Sequence, residues 1–378
     1  MESSFFSDKE KDGSLRQAYE DYLSAKEEGN LSALQLSEDA YEYILDRLVE
    51  EGDTAGVLEL SGIAFEKLPY SEALLSRYCD TLILSNNPDR ALEILAEYSD
   101  SFPQSVVVHL LFARGNIAKK RFRHARDYFY KALECADAGS DAIDSICAIA
   151  QDCIDCGNYR EAIFYLERAQ RIGELPYEYF NDYAFCYDRL DEPQKAEEYY
   201  NLYLDVNPFN DTVWFNMGTV QARLKDFDKA IEAFEYSIAL NAGNSSSLYN
   251  LAVVYMNLQR YREAADTFEQ FVVVDTDVLG RLGLGEAYIR LGRNSEAVEE
   301  FRQVLQADDK ISEAHAGLNT VEAIERYGRG DYEGFKETFM EIFRTGTAWL
   351  GVVYDMLPEL QGDQWFAEFL ENIKKDNI

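Results

Sequence analysis

The sequence predicts an all-α protein in which helical hairpins, each too small to bury its own apolar face, stack one on the next. Three observations predict it. Proline and glycine are scarce, 7 and 22 in 378 residues, which favours long helices and short turns over the turn-dense pattern of a sandwich or barrel. Hydrophobic residues at 47% and aromatics at 13% supply apolar surface that a disordered chain lacks. Above all, an alanine followed four residues later by an aromatic residue or leucine returns at a step close to 34 residues, the mark of an architecture in which neighbours bury one another.

In chain order, Ser14 to Glu28 reads as an amphipathic helix presenting Leu15, Ala18, Tyr19, Tyr22 and Leu23, and Leu31 to Glu50 as the next. Val57 follows the turn Gly52-Asp53; Ala91 with Leu95, closed by Pro103, comes 34 residues later, and Ala125 with Phe129 after another 34. Ala162 follows Ala125 by 37, so about three extra residues are expected in the loop around Ala138 to Asp141. Ala196 with Tyr200, Ala230 with Phe234 and Ala264 with Phe268 resume the step of 34; Ala297 with Phe301 follows after 33, and Phe335, behind Gly330-Asp331-Tyr332, after 38 with a weaker pattern. Second helices read Arg160 to Ile172 or Ser295 to Ala307. Small residues in the first helices (Ala113, Ala150, Ala184, Gly218, Ala252, Gly285) and the alanines of the second are expected where the two backbones approach closely. Two more helices follow from Ala348 to Lys374, where Trp349 and Trp365 are expected to pack a cap, because the ends of such arrays must be atypical.

One unit, Asp211 to Asn244, carries Trp214, Met217-Gly218, Ala230 and Phe234; the next carries Leu248, Leu251-Ala252, Tyr255, Ala264 and Phe268. This order at this step resembles the tetratricopeptide repeat (TPR), and the resemblance covers residues 38 to 345. It implies an α-α superhelix, a solenoid of about eight TPR-like hairpins with helical caps at both ends. Residues 1–37 would be the lead-in, 38–310 the array, and 311–378 a divergent repeat with capping helices. It also implies a non-catalytic scaffold that binds a protein or peptide in a concave groove lined by the first helices.

Within that frame Asn216 and Asn250, 34 apart, share a groove slot, with Asp182 in the unit before. A side-chain amide both donates and accepts, which suits an extended peptide backbone; a solvated helix face would be polar in any case. Arg189, Arg223 and Arg290, with Asn257 in the unit between, recur near the ends of the same helices. They could hold a carboxylate or acidic segment, or simply complement their helix termini. Lys119, Lys120, Arg121, Arg123 and Arg126, flanked by Arg114 and Lys131, form a basic cluster that could dock an acidic partner or a second copy of the chain. The lysine and asparagine clamp by which chaperone adaptors of this family grip a C-terminal carboxylate is missing: Asn181 and Phe185, or Phe215 and Thr219, stand in its places. Self-assembly through the C-terminal aromatic helices is the alternative to groove binding.

Composition narrows the remaining classes. With 36 Lys and Arg against 70 Asp and Glu, the net charge of −34 repels phosphate backbones and anionic headgroups, so neither nucleic acid nor membrane is an expected partner. There is no leader-like start and no apolar run of bilayer length, and six cysteines in so long a chain fit reduced thiols in the cytoplasm. Cys153 and Cys156 have half-site spacing without a second pair, and both are expected on the buried face of a first helix. Three histidines and no nucleophile elbow or phosphate loop leave no catalytic residue, metal site or cofactor to assign.

Overall fold

The computed structural model describes residues 2–135 and 141–376, with side chains at 13–135, 143, 144 and 146–371. Among these, 21 α-helices and three short 3-10 turns account for the regular structure, with no strand. Contacts divide the chain into two compact units, residues 1–191 and 192–378. The first contains α1 (Glu2–Glu27), α2 (Glu38–Glu50), α3 (Thr54–Lys67), α4 (Glu72–Leu84), α5 (Pro88–Tyr98), α6 (Val106–Ala118), α7 (Phe122–Cys135), α8 (Asp141–Asp155), α9 (Tyr159–Ile172) and α10 (Glu178–Arg189). The second contains α11 (Pro193–Val206), α12 (Asp211–Arg223), α13 (Phe227–Leu240), α14 (Ser245–Asn257), α15 (Tyr261–Val274), α16 (Val278–Arg290), α17 (Asn294–Ala307), α18 (Ser312–Gly328), α19 (Tyr332–Thr345), α20 (Trp349–Met356) and α21 (Gln364–Asp376). Within each unit consecutive helices pack as antiparallel pairs, and each pair packs on the next.

The hairpins are cut by a recurring backbone device. Gly52, Asn86, Lys120, Gly157, Asp191, Lys225, Gln259, Gly292 and Gly330 all sit in the left-handed region, with φ between 57° and 76°. Each lies between a first and a second helix. At α12 the geometry is that of a Schellman end: Lys225 N donates to Ala222 O at 3.0 Å and Asp226 N to Gln221 O at 2.9 Å, so the last carbonyls are satisfied before the chain reverses. First helices begin on side-chain caps that keep the 34-residue step: Ser71 and Ser105, then Asn210 and Asn244, each accept from the backbone N–H three residues on.

Packing then follows the small-residue slots. A Cβ on Gly218 would stand 2.7 Å from the Phe234 ring, and one on Gly285 2.5 Å from Phe301. The slot is therefore set by an aromatic ring of the second helix fitting over the first, rather than by backbone meeting backbone. Phe234 and Phe301 are fully buried, as are Ala230, Ala264 and Ala297; burying each ring contributes about 1.5 to 3 kcal/mol. In the second unit this core runs without a break from Ala230 to Phe366.

The ends depart from the sequence expectation in instructive ways. α1 begins at Glu2 rather than Ser14, since a lone Gly13 costs a helix only about 1 kcal/mol. The helix expected from Leu31 instead makes a 3-10 turn at Leu31–Ala33 and restarts after Ser37, and the Tyr41 hydroxyl donates to Leu34 O at 3.1 Å across the break. The extra loop residues expected around Ala138 to Asp141 lie, up to residue 140, outside the described residues. At the other end Trp349 stands edge-on to Phe301 at 5.4 Å, and Phe366 packs among Phe335, Phe339 and Tyr354.

Candidate functional site

In the first unit the face formed by first helices α4, α6 and α8 is occupied by the chain's own charges. Arg114 on α6 donates from Nε to Asp152 Oδ2 at 2.6 Å and from Nη2 to Asp152 Oδ1 at 3.2 Å, and pairs with Asp80 on α4 from the other side. Its side chain is 14% exposed and that of Asp152 16%. Burial pushes the Asp152 carboxyl up despite the bonds from Arg114, whose own charged form those bonds support. Arg77 on α4 pairs in turn with Asp46 on α2. A cleft of about 240 Å³ beside this ladder is lined by Arg77, Asp80, Arg114 and the apolar Val107, Leu110 and Leu111.

Three members of the basic cluster are paired with carboxylates in this environment. Besides Arg114, Lys119 pairs with Asp89 at 2.6 Å, and Arg126 grips Glu161 with two bonds of 2.5 and 2.6 Å while lying over the Phe164 ring. Lys131 sits 4.7 Å from the Tyr128 ring centre. Lys120, Arg121 and Arg123 are exposed and make no ion pair among the described residues. The acids that pair with Arg114, Lys119 and Arg126 come from helices 30 to 38 residues away.

Farther along the first unit, Asp182 is half-buried on α10, and burial pushes its carboxyl up to about 6 against a hydrogen bond from Asn181. Arg189, at the end of the same helix, lies over the Tyr159 ring and donates to its hydroxyl at 3.3 Å. Of the two cysteines expected on the buried face only Cys153 is buried; Cys156 is half-buried, its Sγ 3.8 Å from Ile117 O. Burial raises both thiols above the ordinary range, which leaves them poor nucleophiles.

The second unit presents a different face. α14 and α16 form two walls of a cleft of about 530 Å³, and α20, which packs on α18 and touches α16 and α19, supplies a third. Its apolar lining includes Val253, Met256, Leu282, Trp349 and Val352. Asn257 and Arg290 line it, as do Glu286, Glu313 and Asp355. Arg290 is already engaged: it pairs with Asp355, bonds Glu286 Oε1 and the Tyr261 hydroxyl at 3.2 Å each, and lies over the Tyr261 ring. Its exposure is 14%, so the guanidinium expected to offer an open anion site spends its charge on the chain's own carboxylates. Asn250 lines an adjoining cleft of about 180 Å³ that shares Tyr249 and Leu279 with the larger one; its amide donates to Ser246 O at 2.8 Å. Asn216 is half-buried on α12, and Arg223 is exposed at the end of that helix.

The structure thus brings Asn257 and Arg290 together, sets Asn250 beside them, and gives Asn216 and Arg223 separate places on α12. Arg189 and Arg290 share one local solution, each stacking on the tyrosine that opens the preceding second helix, 30 and 29 residues upstream. That tyrosine was a visible signal for a structural role. The wall supplied by α20 had none, since it breaks the repeat step. Among the described residues no group of three His, Cys, Asp or Glu could hold a metal ion, and no helix is long and apolar enough to cross a membrane.

Two family models, both described as tetratricopeptide repeat, match residues 249–310 and 221–272. They fall on α12 to α17, where the residue order, the left-handed turns and the ring-over-glycine slots coincide. Residues 221–310 of the chain are tetratricopeptide repeats. No curated protein matches it in sequence. Solved structures similar to this TPR protein include MamA, at 20% identity and a TM-score of 0.41, covering 43% of this chain and 95% of MamA. YrrB, described as a TPR protein with an unusual peptide-binding site, has 19% identity and a TM-score of 0.41 over 49% of this chain and 95% of its own. The C-terminal part of a TPR repeat-containing protein from Cytophaga hutchinsonii has 14% identity and a TM-score of 0.46, covering 75% of this chain and 99% of its own.

Proposed function

We propose that this TPR protein is a non-catalytic scaffold that holds a segment of a partner protein against its first helices, with Asn216, Asn250, Asn257 and Arg223 of the second unit as polar contacts. On the first unit taken by itself, Asp182 and Arg189 are the proposed polar contacts. The observation that carries it is the cleft between α14, α16 and α20, whose apolar floor and flanking amides offer both buried area and hydrogen bonds. Arg290 supports the wall instead of meeting the ligand. A second copy of the chain docking through the C-terminal aromatics has less support, because Trp349 and Phe366 are buried within their own chain. The six unpaired cysteines fit a cytoplasmic, reducing compartment.

The test is a variant with Asn216, Asn250 and Asn257 changed to alanine together with Val253→Arg. It is expected to keep the parent's helical circular dichroism and a cooperative melt, lowered by the arginine at half-buried Val253, yet to lose the proteins that the parent retains from lysate and that mass spectrometry identifies. Retention of the same proteins by the variant would show that another surface binds them.

A further inference from the structure

The second-unit cleft is apolar at its floor and acidic at its rim. Its charged lining residues are Glu286, Glu313, Asp355 and Arg290, and the two carboxylates that Arg290 touches already match its charge and more. The adjoining cleft adds Asp275 and Asp277 with no cation. Glu313 is exposed and has no basic partner among the described residues, its Oε2 accepting only from Ser312. An acidic segment entering here would meet uncompensated like charge in a partly dry site, whereas lysine or arginine flanking an apolar anchor would be drawn in.

We infer that the occupant of this cleft is a short basic segment of another protein, with one or two large apolar side chains seated on Val253, Met256 and Leu282 and cationic side chains reaching Glu313 and the Asp275–Asp277 end. This deepens the scaffold reading and rests on it. The anchor is held between repeat helices and a helix, α20, that lies outside the repeat. Specificity therefore arises where the array ends rather than along its regular part.

The experiment selects a random 12-residue peptide display library on the immobilised intact chain at about 0.15 M salt. Retained sequences are expected to be enriched in Lys and Arg over Asp and Glu and to carry a large apolar residue. As soluble labelled peptides they should bind at least tenfold more tightly than versions with Lys and Arg replaced by Glu. Binding should weaken as salt is raised and fall severalfold in Glu313→Lys, an exposed change expected to leave the melting temperature unaltered, and further in Val253→Arg. Enrichment of acidic sequences that still depend on Val253 and Asn250 would overturn the basic-segment inference and leave the scaffold reading standing. Failure to enrich any peptide, or enrichment that Val253→Arg leaves untouched, would overturn both.

Discussion

The first-helix face of residues 1–191 and that of residues 192–378 are built on the same step, yet in one a ladder of charges bridges successive helices beside a cleft of about 240 Å³, and in the other the cleft is about 530 Å³. In the first, Asp46–Arg77 and Asp80–Arg114–Asp152 knit α2, α4, α6 and α8 together. In the second, amides and aliphatic side chains share the face with a single such pairing, that of Arg290 with Glu286 and Asp355 at the cleft of about 530 Å³ beside α20. The difference teaches that repeat register decides where a side chain stands, while the identity at that position decides whether the face is spent on stability or left for a ligand.

The largest expected effect that could break this contrast is Arg114→Leu. It would leave Asp80 and Asp152 facing each other without their cation and should cost about 3 kcal/mol, as loss of one member of a buried pair does. Urea unfolding followed by circular dichroism reads it, and a loss below about 0.5 kcal/mol would mean that the ladder is screened by solvent and the two faces are energetically alike. Next comes a change that should not distinguish the units. Gly218→Val in the second overfills the slot beneath the Phe234 ring and Ala113→Val in the first overfills a fully buried position of α6, at about 2 kcal/mol each. Unequal losses would show that the slot, and not only the exposed face, differs between them.

A smaller effect concerns Asp182, whose carboxyl is raised to about 6 by burial. A carboxyl raised on folding binds its proton more tightly in the folded state, so stability should increase as pH falls from above 6 toward 4. Asp182→Asn should therefore raise the melting temperature at pH 7.5, by about 1 kcal/mol in stability terms, with the gain shrinking as pH falls below 6 and gone only near pH 4. A gain that persists unchanged at pH 5 would place its origin outside the carboxyl's charge. The smallest prediction is Lys225→Gly, which relieves a left-handed φ of 62° and should stabilise by about 0.5 to 1 kcal/mol, readable as a shift in urea midpoint. Asn241→Gly, where φ is −142°, should not.

Much of the fold was legible because its determinants are local or between neighbours. Ala230 with Phe234 and Ala264 with Phe268 repeat in step, and their small partners in the first helices could be picked out from spacing alone. The left-handed position was legible only where it is glycine, as at Gly52 or Gly292; Lys120, Lys225 and Gln259 adopt the same φ without its residue type, because the flanking helix ends impose it. In the candidate site Asn250 and Asn257 were placed by register. The partners of Arg114 and Arg290 were less legible: Glu286 lies one turn before Arg290, but the other carboxylates lie 34, 38 and 65 residues away and differ in sign where a repeat shows likeness.

By itself the sequence determined an all-helical chain, the 34-residue register, the rings that fill each slot and the strongly acidic surface, because helical periodicity and nearest-neighbour stacking leave a periodic trace along the chain. Only the tertiary structure decided which charges cancel, and that α20 becomes the wall of a cleft instead of one more repeat. Those outcomes depend on contacts between residues far apart in sequence, fixed by how side chains of opposite charge and complementary shape meet after the hairpins have packed.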